Sequence, residues 1–532
     1  MLSVKKKSGS IKKILLFGMS PMPFENDRKV YGTGIRTWQF LQSLLKQGHI
    51  ILVVNYAIPS AYDQDFKTLH LQDFTVSGSG SAVSGKKNNT VILDALSGDD
   101  NEKLVFDYNI LSQADFDNTA CLYGIYEEFK PDCIVGCSFY PSHAAAKLIN
   151  YIKELKLSRD KEPGAGADTV PFWADLFGHV MAEAQARAIT DKSDDCLYHY
   201  WNSEYGIISS ADIFSVVSER QKYALIGELG AIGRLTMHTG DYEFARCIPC
   251  GMPAEPFDHK KNVLSDIKYE NDFIILWTGG YNTWTDTDTL FKGLEKAMRV
   301  NKNIKFVSTG GEIPEQDMLT YPCFLEMIEN SDLKNNFIMM GWIKGEDVPN
   351  YYFEADAGIN IDKDIYEVRL GSKNRILDWF RAGLPVLSSN VCELTEIIER
   401  EGIGYTFKAG DSDDLASKLL YISGKKNELK DTAEKAKKYA LENFSFEKTT
   451  EVLRQWVMDP EIAPDTGKEK ALVFRKDEAV KKLQFIVSNQ KDIIEKKDRR
   501  IGELELVVSK NLLFRLNGYL KILKRKILRK DA

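Results

Sequence analysis

ADAGINIDKDIYEVRLGSKNRILDWFRAGLPVLSS, residues 355–389, reads as strand, loop, helix, strand. The run Ala355 to Ile361 is short and mostly apolar, as a strand buried on both faces of a parallel sheet must be. After a loop of charged and small residues, Ser372 is placed to N-cap a helix whose first turn carries Lys373, Asn374 and Arg375. Cations are unfavourable there, because the helix dipole already makes that end positive. Two of them in one first turn predict a site for an anion such as phosphate, with the backbone amides of Gly371 to Asn374 adding donors. Asp378 lies three residues beyond Arg375 and shares its helix face, where a carboxylate can accept hydrogen bonds from sugar hydroxyls. A phosphate site beside a hydroxyl-binding acid is what a nucleotide sugar needs.

The same alternation of strand and helix extends in both directions. FIILW, KFVSTGG, FIMMGWI, GLPVLSS and GIGYTF are strand candidates separated by helical patterns, and Thr278-Gly279-Gly280 opens the loop after the first of them. The first half repeats the scheme. A strand at Ile14 to Phe17 leads through a long loop to Gly32-Thr33-Gly34, which is either a phosphate loop or a plain tight turn, and to a helix from Ile35 to Gln47. Strands follow at Ile50 to Val54, in PDCIVGCSF, and at Val170 to Leu176, after which come Phe177, Gly178 and His179. Open α/β sheets place ligands at the carboxyl ends of their strands, so His179 is a candidate site residue, with a structural histidine as the alternative. Ser218 is placed to cap a further helix, and RCIPCGM closes this half with a hinge at Pro249, Gly251 and Pro253. The expected architecture is α/β: two doubly wound, Rossmann-like domains, 11–250 and 251–444, facing across a cleft, with a polar insertion over about 61–118.

Composition agrees with this size. A chain of 532 residues exceeds one core, and 43% hydrophobic with 28% charged residues is ordinary for globular proteins. Eight cysteines without a regular framework suit reduced thiols, and the Cys247/Cys250 pair has no partner pair at zinc-ribbon spacing. The apolar run Ile14 to Gly18 is too short for a signal sequence or for a span of roughly 20 residues. A cytoplasmic protein without a transmembrane helix is expected.

Four stretches in order carry a resemblance: SADIFSVVSERQ, CIPCGM, FIMMGWIKGEDVPNYYFEADAGINI and AGLPVLSS. With them the chain resembles the GT-B glycosyltransferases of the retaining family 4 type (glycosyl transferases group 1), over most of residues 11–458. The resemblance implies that the first domain binds an acceptor and the second a nucleotide-sugar donor, and that residues 445–458 form a helix crossing back onto the first domain. It implies donor contacts from Gly279, Gly280, Trp342, Gly371, Ser372, Lys373, Asn374, Arg375 and Asp378. Asp175 and His179 would approach the transferred sugar from the first domain. The family's two glutamates, eight positions apart, fall here on Leu370 and Asp378; the first is absent, and Glu367 is the candidate replacement. The family's donor-phosphate Arg and Lys fall on Gly280 and Thr285; Lys373 and Arg375 can supply the charge, the alternative being that these two cations simply face solvent. No metal or other cofactor is then expected, and the pairs Asp286/Asp288 and Asp362/Asp364, although spaced as DxD, read as helix-start and loop acids.

Beyond a linker at 459–476, Leu483, Val487, Gln490, Ile494, Lys497, Ile501, Leu504 and Val508 alternate in steps of four and three, a coiled-coil seam. The seam points to self-association through 480–508, with a lone helix packed on the body as the alternative. The end, 510–532, mixes large apolar residues with Lys521, Lys524, Arg525, Lys526, Arg529 and Lys530, which suits an anionic membrane surface better than nucleic acid. The sequence thus predicts a glycosyltransferase at the inner face of the cell membrane, extending a surface glycan such as O-antigen or capsule. The rivals are a GT-B enzyme of other sugar chemistry, or a catalytically silent GT-B subunit that binds glycan or scaffolds an assembly.

Overall fold

Each apolar run of the first half becomes a strand of one sheet. In the computed structural model, which describes residues 10–25, 28–62, 81–84, 89–94, 103–159, 170–314, 316–468 and 473–527, these strands are β1 (Lys13–Ser20), β2 (Ile50–Ala57), β3 (Ser81–Ser84), β4 (Asn89–Asp94), β5 (Lys103–Leu111), β6 (Cys133–Gly136), β7 (Phe172–Leu176), β8 (Ile213–Val216) and β9 (Ala245–Cys247). Their order is β3-β4-β5-β2-β1-β6-β7-β8-β9. All neighbours are parallel except β3–β4 and β4–β5. The second sheet is parallel throughout, in the order β12-β11-β10-β13-β14-β15. Its strands are β10 (Phe273–Thr278), β11 (Ile304–Thr309), β12 (Phe337–Gly341), β13 (Ala357–Asn360), β14 (Val386–Ser389) and β15 (Tyr405–Phe407). Helices cover both faces of each sheet, and alternate strand residues feed opposite cores: Leu15 and Phe17 one, Ile14 and Leu16 the other.

Two expectations change. The stretch expected as a polar insertion over 61–118 contributes three strands to the sheet; its residues 63–80, 85–88 and 95–102 lie outside those described. The reason is visible in KLVFDYNIL, where Leu104, Phe106 and Tyr108 are buried and their neighbours are more exposed, the period of a half-buried strand. Likewise, residues 459–467 of the expected linker are docked on the first domain. Asp465 takes both Nε and Nη2 of buried Arg234 at 2.9 Å, and Ala463 N donates to Asp212 at 2.9 Å. Two polar-looking acids therefore lie in the interior.

The chain crosses between the sheets twice, side by side. Met252 N donates to Phe444 O at 2.8 Å, and Phe446 N donates back to Met252 O at 3.0 Å. The returning helices, Phe446–Thr449 and Glu451–Met458, then pack on the first domain through Gln39–Thr449 (2.8 Å) and through Trp456 against Trp173. Close by, Arg36 makes a fully buried bidentate pair with Asp175, at 2.7 and 3.0 Å. Arg36 also donates to Ile248 O and Pro249 O, while Asp175 accepts from Ser215 Oγ and Ser138 N.

The chain falls into two units, Met1–Gly467 and Lys468–Ala532. The second contains one helix, Val473–Ile527, whose large apolar side chains, where described, are exposed, from Val480 at 40% to Phe514 at 82%. Among the described residues no helix is long and apolar enough to cross a membrane.

Removing one partner of a buried, hydrogen-bonded ion pair strands the other charge and costs about 3–5 kcal/mol. Asp175→Ala is therefore expected to lower the denaturant midpoint by that equivalent. A loss below about 1 kcal/mol would show that the network is not central to the fold.

Candidate functional site

The loop after β10 is held open by glycine. Gly279 has φ +93°, and a Cβ on Gly280 would lie 2.3 Å from Ile313 Cδ1 and 3.4 Å from Trp342. A Cβ on Gly310, which follows β11, would lie 1.9 Å from the Gly279 carbonyl. Only bare backbone fits there. Beneath the loop, Tyr281 stacks on Trp277 with ring centroids 4.9 Å apart, and its hydroxyl pairs with Ser308 Oγ at 2.8 Å.

Arg375 lies against this platform. Its guanidinium sits 3.9 Å from the Trp277 ring centroid, and Nη2 reaches only the Gly280 carbonyl, at 3.5 Å. Nη1 is buried without a hydrogen-bond partner. Burial pulls this guanidinium below the ordinary arginine value, although Asp362, Tyr281 and Tyr352 favour its charge. A buried, half-satisfied cation is costly, and an anion placed on Nη1 would remove that cost.

The helix bearing it, Asn374–Ala382, differs from expectation at its start. Lys373, not Ser372, is the N-cap, and no side chain caps the helix. Lys373 Nζ lies 3.5 Å from Asp362 and 4.0 Å from Glu367. Burial opposes its charge, but these two carboxylates outweigh burial and hold the ammonium above the usual lysine value. The Glu367 carboxyl is pushed up by burial despite Lys373, and its Oε2 is buried without a hydrogen bond. Asp378 accepts no hydrogen bond among the described residues, and burial raises its carboxyl to about 6, with Arg381 opposing.

The first domain meets this end. The helix Gly32–Leu45 begins at Gly32, its N-cap Tyr31 makes no side-chain cap, and its first turn holds no acid. A Cβ on Gly32 would lie 3.3 Å from the Asn374 amide nitrogen and 3.6 Å from Phe177. Two uncapped helix N-termini thus abut across the cleft, each carrying partial positive charge. Gly34 serves packing instead, since a Cβ there would lie 2.0 Å from Pro21 O. Ser218, the expected cap, accepts from Gln221 N at 3.0 Å and also donates to Leu370 O across the cleft, at 2.6 Å.

The other expected residues separate. Trp342 is 41% exposed, and its Nε1 donates to Glu312 O at 2.8 Å. Asp175 is fully buried, and its four hydrogen bonds come from Arg36, Ser215 and Ser138, so it supports the site without reaching a ligand. His179 caps the helix Val180–Asp191, with Nδ1 accepting from Ala182 N at 3.4 Å and Nε2 lying 3.1 Å from Glu228. It lines a cavity of about 800 Å³ together with Met181, Gln185 and Leu197 of the first domain and Tyr366 and Leu370 of the second. Asp286 caps the helix Thr287–Val300 by accepting from Thr289 N, and Asp364 pairs with Arg369.

The sequence reading missed Lys29, whose ammonium lies 3.5 Å above the Trp342 ring. Burial lowers it to about 8, with Glu312 opposing. Lys29 sits in a long loop without periodicity, so no local pattern pointed to it.

Residues 272–424, which hold the whole of the second sheet, match the family described as glycosyl transferases group 1. By this domain the chain is similar to the group 1 glycosyl transferases. Its two-sheet fold is GT-B. It is similar to the sucrose-phosphate synthase of Thermosynechococcus elongatus (13% identity, TM-score 0.56, covering 84% of this chain and 98% of that one). It is also similar to Anabaena HepE in complex with UDP and glucose (13%, TM-score 0.53, 84% and 98%). A third such structure is a Staphylococcus aureus TarM mutant with Fondaparinux, alpha-GlcNAc-glycerol and UDP (12%, TM-score 0.52, 84% and 100%). No curated protein sequence matches the chain. Gly280 and Thr285 carry no charge, and Arg375 is the buried cation that lies beside the loop after β10.

The Asp378 carboxyl is raised on folding from 3.8 to about 6. The folded chain then holds the proton more tightly, so this group's favourable contribution is complete below about pH 4 and is lost as pH rises through about 6. Asp378→Asn is expected to raise the melting temperature at neutral pH and to leave it unchanged near pH 4. Equal effects at both pH values would refute the assignment.

Proposed function

We propose that this chain is a glycosyltransferase that moves a sugar from a nucleoside diphosphate sugar to a glycan or lipid-linked acceptor, with retention of configuration. One observation carries the reading: two uncapped helix N-termini abut beside a buried guanidinium whose Nη1 has no partner. That is an electrostatic hole for a diphosphate. In glycosyl transfer, the bond from the anomeric carbon to the diphosphate oxygen breaks and negative charge grows on the leaving group. Arg375 and the first-turn amides meet that charge, with Lys373 behind them. The acceptor hydroxyl attacks the same face, and its proton passes to the departing phosphate oxygen.

This set of protein cations stabilises the leaving group without a metal there. Asp378 takes the ribose hydroxyls, Trp342 borders the base, and Glu367, with one free carboxylate oxygen, orients a hydroxyl of the transferred sugar in place of the acid missing at Leu370. The acceptor enters by the cavity that His179 and Leu370 line. The UDP in the HepE and TarM structures supports a nucleotide on this fold.

The helix of the second unit extends the proposal. Leu512, Leu516, Tyr519, Leu520 and Leu523 share one strip with Arg515, beside the lysines that follow. This suits a cytoplasmic enzyme resting on the anionic inner membrane surface, self-associating through 480–508 and building cell-surface polysaccharide such as O-antigen or capsule.

Removing charge-assisted bonds costs about 1.5–3 kcal/mol, so Arg375→Ala is expected to weaken UDP binding by about ten- to a hundredfold in calorimetry. Arg375→Lys, lacking the fork, should recover only part. UDP binding equal to wild type in the alanine variant would sink the diphosphate reading. Liposome flotation on anionic vesicles should be lost when the chain stops at residue 509; undiminished flotation would remove the membrane proposal.

A further inference from the structure

Three helices of the first domain bring together groups that the donor site does not use. His179 stands at the start of helix Val180–Asp191, Glu204 lies in helix Leu197–Ser210, and Glu228 lies in helix Glu219–Ala231. One ligand atom from each falls within 4.8 Å of the other two. His179 Nε2 and Glu228 Oε1 are 3.1 Å apart. Glu204 is only 4% exposed and accepts no hydrogen bond among the described residues. It points into the cluster, where Glu228 opposes its charge and His179 favours it.

Two carboxylates and one imidazole share a mostly buried spot, and with both acids ionised even a protonated imidazole leaves one negative charge in excess. Buried carboxylates without a donor are costly, so either a proton or a cation belongs there. A divalent cation would neutralise both acids and use the imidazole as a neutral ligand.

We infer that His179, Glu204 and Glu228 bind a divalent cation of the zinc class through one imidazole nitrogen and two carboxylate oxygens. The nitrogen-and-oxygen donor set suits zinc, for which three protein ligands and a water are a common arrangement. Magnesium and calcium prefer sites made wholly of oxygen. Coordination by Nε2 requires the proton on Nδ1, so the contact from Ala182 N is given up; at 3.4 Å it is too long to be a strong cap. The ion would tie three helices together beside the cavity that His179 lines. It would not touch Arg375 or Asp378, so the inference stands apart from the donor assignment.

The test uses the full chain, stripped with a chelator and titrated with zinc alone. One zinc per chain is expected to survive dialysis and to raise the melting temperature, and Glu204→Gln and Glu228→Gln should each weaken binding at least tenfold. Both variants should keep wild-type UDP binding, which shows that they are folded. Cobalt in place of zinc should give visible bands without the thiolate charge-transfer band that a cysteine site would show. No retained zinc, wild-type affinity in Glu204→Gln, or a thiolate band would each overturn the assignment, the first by showing that a proton alone balances the cluster.

Discussion

The buried pair Arg36–Asp175 is the constraint on which the cleft depends. Neither charge meets water, so the pair is tolerable only because nearly every donor and acceptor is used. The partners are spread widely: the ends of β6, β7 and β8 through Ser138, Asp175 and Ser215, and the Ile248–Pro249 segment leading to the domain crossing. Arg36 also lies in the helix that begins at Gly32. Fixing the guanidinium therefore fixes where that helix end meets Asn374, and so how closely the first domain approaches the second sheet.

Charged groups gather at two places in the cleft region. Where the two helix N-termini meet, one from each domain, lie Arg375 and Lys373, the latter beside Asp362 and Glu367. Around His179 and the helix behind it lie Glu204, Glu228 and Glu183. Burial together with Glu367 pushes the Glu183 carboxyl up to about 7, and burial with Glu228 brings Glu204 to about 8. An anion on Arg375 Nη1 would relieve the first place, and a cation or proton would relieve the second.

Much of this was legible in order along the chain. Apolar runs separated by helical periods predicted both sheets, because parallel strands buried on two faces leave that signature wherever they occur. The anion site expected from Lys373 and Arg375 at a helix start rests on the dipole, which makes cations unfavourable there; the fold adds that Lys373 is paired with Asp362 and Glu367. The strands at 89–94 and 103–111 were hidden by the polar, Gly- and Ser-rich residues around them. The docking of Asp465 on Arg234 was hidden because an acid in a Pro-containing stretch looks solvated until its partner, far away in sequence, is known.

The sequence by itself determined the fold class, the domain order and the basic helix start with its acid at Asp378, since each is set by residues near one another in the chain. Tertiary structure alone decided the roles. Asp175 and His179 stand four residues apart and looked alike as candidates, yet one is enclosed by Arg36 while the other faces Glu204 and Glu228 and lines the cavity. Gly32 and Gly34 looked like one motif, yet one faces Asn374 and the other Pro21. The reason is common to both pairs: which neighbour a side chain meets depends on how distant segments pack, and no local pattern records that.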